Sequence, residues 1–294
     1  MKGRVLDLFA GLQGWSEPWR ENGWEVITLD YEESFGSDLT MDIRDFAVDP
    51  LYILGERPDV ILASPPCEAF SVMTIGRNWT VGHTPKTEKA ELAVELVQAT
   101  LDVITTLKPR FWVMENPRAK LRKLPVVDGL DRVTVTYCQY GEPFMKPTDL
   151  WGGFPRSWWP KPVCKPRAPC HVSAARGSTT GIQGKGEQRW THPVLLAQSN
   201  NGHREDERAR RTAGQEALLE KVAAMAARPS TSRTKFKGGM IEVMSRFPSW
   251  SDERKMLSAL RAKIPYELSN ELRLAVEADM QEDVDVRQTT QGPR

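Results

Sequence analysis

No run in the 294 residues stays apolar for the ~18–20 positions that a membrane-crossing helix needs, so no membrane partner is expected. Cysteine is scarce. Cys67, Cys138, Cys164 and Cys170 are too few and too unevenly spaced for a disulfide scaffold, which fits a reducing, intracellular setting. No signal-peptide pattern opens the chain, because "MKGRVLDLFAG" runs straight into a strand-like stretch. There is no internal repeat, and the dinucleotide fingerprint G-x-G-x-x-G is missing. Net charge is also small, at +1, but it is unevenly spread. Residues 1–134 sum to −6, residues 135–263 to +11 and residues 264–294 to −4. A neutral chain with one basic segment would bind a polyanion through that segment alone. A solvated Lys/Arg-rich surface has the same composition.

What is present is an alternation of strands and helices. "RVLDLFAG" (4–11) reads as a buried strand ending in a glycine turn, and "SEPWRENG" (16–23) as a helix capped by Ser16 and stopped at Gly23. "EVITLD" (25–30), "PDVILAS" (58–64), "RFWVMENP" (110–117) and "RVTVTYCQYG" (132–141) read as further strands. Residues 86–109 carry apolar positions at helical spacing before a proline stop. The pattern implies an α/β fold with a doubly wound, mostly parallel sheet. Ligands on such sheets sit at the carboxyl ends of the strands. Asp7–Gly14, Asp30, Ser64–Ser71 and Glu115–Pro117 all fall there.

After residue 150 the texture changes to a Pro/Trp/Cys-rich stretch, a Gly-rich loop (177–189), a charged helix (204–227) and the basic loop "RPSTSRTKFKGG" (228–239). Two helices split by Pro265 follow (253–280). The expected organisation is an α/β domain over 1–150, a small irregular region over 151–263, a further helix over 264–280 and a flexible tail over 281–294. Trp151, Trp158 and Trp159 could stack on bases, although burial against the sheet is the expectation.

Glycines in "DLFAGLQG" (7–14) allow a ligand to approach the backbone, with a helix N-terminus facing it. Asp30 is placed to accept hydrogen bonds from ribose hydroxyls, or else caps a turn. Asp42 and Ile43 form a polar and apolar pair suited to an adenine ring; an exposed loop acid is the plainer reading. In "ASPPCEAFS" (63–71) two prolines fix the approach to Cys67, and a neighbouring strand end delivers Glu115 and Asn116. A thiolate beside a carboxyl group suits covalent catalysis on a heterocycle. An inert core cysteine is the alternative.

"DLFAGLQGWS", "SPPCEAFS" and "MENP", in that order, resemble the cofactor, nucleophile and acid motifs of cytosine-5 DNA methyltransferases, and "YCQYGEPFMKPTDLWG" looks like their compact phage-type branch. The resemblance covers 1–152 well, 264–280 weakly and hardly touches 190–263. It implies a class I, Rossmann-like fold with S-adenosylmethionine as cofactor and double-stranded DNA as substrate, with residues 1–150 as the catalytic and cofactor-binding domain, 151–263 as the target-recognition region and 264–280 as a helix returning to the catalytic domain. It implies Asp7, Phe9, Gly11, Gly14, Asp30, Asp42, Ile43, Ser64 and Pro66 on the cofactor side. Cys67 becomes the nucleophile, Glu115 the acid and Asn116 its companion. Pro65, Ser71, Lys146 and Thr148 fall on the base and DNA side. A monomer acting in the cytoplasm of a bacterial or phage-infected cell is expected.

This chain departs from the family pattern in having Glu68 after the nucleophile, Pro117 after Glu-Asn, and Lys146 and Thr148 where arginines usually stand. Asn270 lacks a preceding glycine, which leaves open whether a plain or a modified methyl group is transferred. An amino-group methyltransferase keeps the same fold but has no use for Cys67 with Glu115, and a catalytically idle DNA-binding relative would have no need to keep all three motifs. Once Cys67 is assigned, Cys138, Cys164, Cys170 and His171 form a candidate tetrahedral zinc set anchoring the Pro/Trp-rich segment. Three unrelated cysteines and a surface histidine are the alternative.

Overall fold

Apolar residues fill "RVLDL", "EVITLD" and "VILA" almost without interruption, as strands covered on both faces require. In the computed structural model, which describes residues 2–72, 74–142, 145–165, 168–171 and 251–290, they form β1 (Arg4–Leu8), β2 (Glu25–Asp30) and β4 (Val60–Ala63). With β3 (Leu39–Thr40), β5 (Phe111–Pro117), β6 (Arg132–Thr136) and β7 (Pro147–Gly153) they make a seven-stranded sheet in the order β3-β2-β1-β4-β5-β7-β6. The first five strands of that order pair in parallel, and β7 pairs antiparallel with β5. Register is tight at the carboxyl ends: Leu8 lies opposite both Leu29 and Ala63, and Ala63 opposite Met114.

Helices α1 (Glu17–Glu21), α2 (Ile43–Phe46), α3 (Pro50–Leu54), α4 (Ile75–Asn78) and α5 (Glu88–Leu107) connect the strands. The Thr87 side chain caps α5 by accepting from Ala90 N, and α5 stops at Lys108, whose φ of 49° precedes Pro109. Its buried face, Ala90, Ala93, Val97, Ile104 and Leu107, joins Leu6, Leu8, Ile61 and Met114 in the core.

Three local readings change. Ser16 makes no side-chain cap bond on α1, because its hydroxyl donates to Asp7 instead. The strand read over 132–141 ends at Thr136; Tyr137–Tyr140 turn as a 3-10 helix closed by Gly141 at φ 89°. Cys138 is therefore on that turn. β7 has no counterpart in the sequence reading, since its "TDLWGG" lacks the β-branched run that marks a strand and its pairing with β5 is long-range.

Beyond the sheet, α6 (Asp252–Ala262) and α7 (Tyr266–Thr290) flank Pro265 as expected. α7 continues through the polar stretch where a tail from 281 was expected. Gln281 Nε2 donates to Asp285 Oδ1 at 2.9 Å, and Asp283 takes hydrogen bonds from Arg110 and Arg156. α7 also meets α1 through Ser269, which donates to Trp15 O at 2.6 Å and accepts from Trp19 Nε1 at 3.0 Å. Trp151 and Trp158 are buried, whereas Trp159 is 83% exposed.

The chain forms two compact units. One comprises Met1–Val135, Pro147–Pro162 and Ile264–Arg294; the other comprises Thr136–Lys146 and Val163–Lys263. Most of the expected target-recognition region, including the readings over 177–189, 204–227 and 228–239, lies outside the described residues. Among the described residues, no helix is long and apolar enough to cross a membrane.

At Gly152 an added Cβ would sit 2.1 Å from the Trp112 carbonyl oxygen, across the β5–β7 pair. Gly152→Ala is expected to lower stability by at least ~1–3 kcal/mol, read as a fall in the urea midpoint. Gly153→Ala, where the new atom meets only the Trp112 side chain at 3.2 Å, should cost less.

Candidate active site

The turn after β1 is shaped by backbone that most residues avoid. Phe9, Gly11 and Gln13 have φ of 59°, 49° and 55°. Gly11 N donates to Asp30 Oδ2 at 2.9 Å, and Glu32 N donates to Asp30 Oδ1 at 3.0 Å, so the acid ending β2 is locked against the turn ending β1. Burial raises the Asp30 pKa while those backbone donors pull it down. Asp7 is buried, accepts the Ser16 hydroxyl on Oδ2, and leaves Oδ1 without a partner. Burial pushes its carboxyl up to about 7, against the opposing pull of Ser16. Gly14 is buried.

The loop after β4 is fastened on every side. Ser64 N donates to Leu8 O at 3.1 Å, and Trp15 Nε1 donates to Ser64 Oγ at 3.0 Å. Asn116 Nδ2 donates to Pro65 O at 3.0 Å from the end of β5. Phe70 N closes on Cys67 O at 3.0 Å, while Phe70 O accepts from Lys120 N at 3.1 Å. Below this turn Ala69 O takes Trp79 Nε1 at 2.8 Å, and the Phe70 ring stacks on Trp79 at 5.8 Å. Pro65 is buried, Pro66 exposed, and Cys67 and Ser71 half-buried, so the prolines hold the thiol in a fixed and accessible place. Glu68 points away into an ion pair with Lys89. Glu115 is 4% exposed and Asn116 fully buried, with Asn116 Oδ1 unpartnered.

The structure thus joins Gly11 to Asp30, Ser64 to the turn after β1, and Pro65 to Asn116. Other expected residues sit apart. Asp42 caps α2 by accepting from Arg44 N at 2.8 Å, and the Arg44 guanidinium holds its carboxyl below the usual range. Ile43 is buried in the core. Thr148 is fully buried in β7, opposite Pro117. Lys146 belongs to the second unit, its Nζ 4.4 Å over the Tyr137 ring.

Sequence reasoning missed the fasteners Trp15 and Asn78, whose Nδ2 donates to Ala69 O at 3.3 Å, and a basic cavity beyond β5. That cavity, of about 280 Å3, is lined by Ile75, His83, Arg118, Ala119, Lys120, Arg122 and Lys123. Lys120 is only 3% exposed, with Nζ 2.5 Å from His83 Nδ1 and 5.1 Å over the Trp79 ring. Burial, and then the Lys123 charge, lower its pKa. The run "RAKLRK" directly after "ENP" was its signal in the sequence.

In the second unit, Cys138 Sγ, Cys164 Sγ, Cys170 Sγ and a His171 ring nitrogen lie within 4.8 Å of one another. Burial and then the neighbouring thiols push Cys138 up to about 12.

A mostly parallel seven-stranded sheet with an antiparallel β7 between β5 and β6, carrying its site at the strand ends, is the class I S-adenosylmethionine-dependent methyltransferase fold. Within that class, residues 3–123 match the model of the C-5 cytosine-specific DNA methylases. The chain is 28% identical over 212 residues to a protein of frog virus 3 described as a probable DNA (cytosine-5)-methyltransferase, covering 68% of this chain and 89% of that one. It is also 28% identical over 123 residues to the type II methyltransferase M.AplI of Arthrospira platensis, covering 40% of this chain and 32% of that one. Among solved structures, a protein encoded within an Escherichia coli prophage and described as a DNA modification methyltransferase superposes with a TM-score of 0.50 at 12% identity, over 95% of this chain and 99% of that one.

Asp7 predicts a pH effect. Its raised folded pKa means that the native state holds a proton that the unfolded state has lost, so stability falls as pH rises from about 4 to about 7 and then levels. Asp7→Asn should be flatter over that window and gain on the wild type by up to about 4 kcal/mol, measured by urea unfolding at pH 5 and pH 8.

Proposed function

We propose that the chain transfers a methyl group to carbon 5 of cytosine in double-stranded DNA, through a transient bond from Cys67. The observation that carries the reading is the fastened Pro65–Pro66–Cys67 loop: a half-buried thiol tied by Asn116 to the strand that bears the buried Glu115. This lies inside the stretch that matches the family.

The residues present fit S-adenosylmethionine. Asp7 leaves a buried oxygen unpartnered where a cationic donor would relieve it, and Asp30 is held at the end of β2, where ribose hydroxyls would meet it. Phe9, Gly11 and Gly14 would supply the open turn and Ser64 and Pro66 its far wall, whereas Asp42, tied to Arg44, and Ile43, buried in the core, stay out of this set. When bound, the cofactor supplies an electrophilic methyl on a sulfonium.

The chain's own residues make the acceptor reactive. Carbon 5 of cytosine is a poor nucleophile. Cys67, as thiolate, bonds carbon 6, while Glu115 gives a proton to ring nitrogen 3 and neutralises charge developing there. Electron density then reaches carbon 5. After alkylation, a solvent base takes the carbon 5 proton, the carbon 5–carbon 6 double bond re-forms as the sulfur–carbon bond breaks and returns the thiolate, and ring nitrogen 3 gives its proton back to Glu115. Asn116 positions the loop through Pro65. A base inside a duplex is out of reach, so the target cytosine is turned out of the stack. The basic cavity lined by His83, Arg118, Lys120 and Lys123 suits a backbone phosphate beside the site.

The full chain, incubated with duplex DNA and methyl-labelled cofactor, should yield labelled 5-methylcytosine on nucleoside mass spectrometry. Label on an exocyclic nitrogen would overturn the reading. Cys67→Ser and Glu115→Gln should each lower the rate by ~10²-fold or more, with cofactor binding retained.

A further inference from the structure

We infer that Cys138, Cys164, Cys170 and His171 bind one structural zinc ion that joins the two segments opening the second unit. The four side chains come from places distant in sequence: the 3-10 turn Tyr137–Tyr140, and the segment from Cys164 to His171. Their ligand atoms nevertheless converge. Cys164 Sγ lies 3.2 Å from Cys170 Sγ and 3.5 Å from His171 Nδ1, and Cys170 Sγ lies 3.4 Å from the same nitrogen. A tetrahedral zinc with Zn–S of about 2.3 Å sets its ligands roughly 3.5–3.8 Å apart, so these three need only a slight expansion, with Cys138 Sγ within 4.8 Å of each. A disulfide would need the sulfurs at ~2.05 Å and would use just two of the four.

The surroundings hold the geometry. Cys164 N donates to Thr136 Oγ1 at 2.9 Å, fixing one segment to the foot of the turn, and Gln139 Nε2 donates to Cys170 Sγ at 3.4 Å. The set is Cys3His with all four positions supplied by protein, which is a closed structural site rather than a catalytic one. The segment "VCKPRAPCH" offers few apolar groups to pack, so metal ligation replaces a core there.

The inference stands apart from the methyl-transfer reading, because its readout is metal content. The full chain, purified under reducing conditions from zinc-replete cells, should hold one zinc per chain by elemental analysis after dialysis. Cobalt exchanged into it should give the intense visible bands of a tetrahedral thiolate site. Cys164→Ser and His171→Ala should each reduce zinc retention at least tenfold, while Cys67→Ser should keep one zinc per chain. Chelation of the wild type should expose the 163–171 segment to proteolysis, a readout that survives if a variant fails to fold. Absence of zinc together with no cobalt spectrum, a Cys164–Cys170 disulfide in the freshly isolated protein, or zinc loss caused by Cys67→Ser would overturn the inference.

Discussion

The parallel register of β2, β1, β4 and β5 is the constraint on which the site depends. Because Leu8 sits level with Leu29 and Ala63, and Ala63 with Met114, four loops leave the sheet at one height. A glycine turn, an acid, a proline-fixed cysteine and a buried glutamate then need only short side-chain bonds to become one constellation. Those bonds are Gly11 to Asp30, Trp15 to Ser64 and Asn116 to Pro65. None is large alone, each contributing about 0.5–1.5 kcal/mol net. Their value lies in fixing the Cys67 loop, as the proposed covalent mechanism would require.

Buried polar groups mark where that arrangement is under tension. Asp7 and Asn116 each keep a buried oxygen without a partner, and unsatisfied groups of this kind cost more than a bond of the same type gains. One lies at the strand end before the Phe9–Gln13 turn, the other directly beside the Cys67 loop. Polar ligands that supply donors would relieve both, so the strain and the proposed chemistry coincide.

Much of this was legible in the sequence. Apolar runs bounded by glycine and proline located β1, β2, β4, β5 and α5. Cys67 and Glu115 stood out as candidates because a proline-fixed loop and an acid at a strand terminus both carry a local cost. Less local features were hidden. β7 is glycine-bearing and has Thr148 as its single β-branched residue, and its place is set by antiparallel pairing with β5, so periodicity does not reveal it. Cys138 reads as strand because "RVTVTYCQY" alternates, yet the backbone turns at Tyr137 and closes at Gly141. Ser16 has the residue type of a helix cap, but the buried Asp7 carboxylate competes for its hydroxyl and wins. Convergence of the three thiols and His171 depended on that turn and could only be suspected from residue count.

The most direct test of the central claim is covalent capture. A duplex carrying 5-fluorocytosine at the target position blocks the final loss of the ring substituent, so a sulfur-bound ring cannot be released. With S-adenosylmethionine present, a denaturation-resistant protein–DNA complex should form, and peptide mapping should place the nucleotide on Cys67. A fully active enzyme that forms no such complex on its own target site, or that carries the adduct on another residue, would contradict the account.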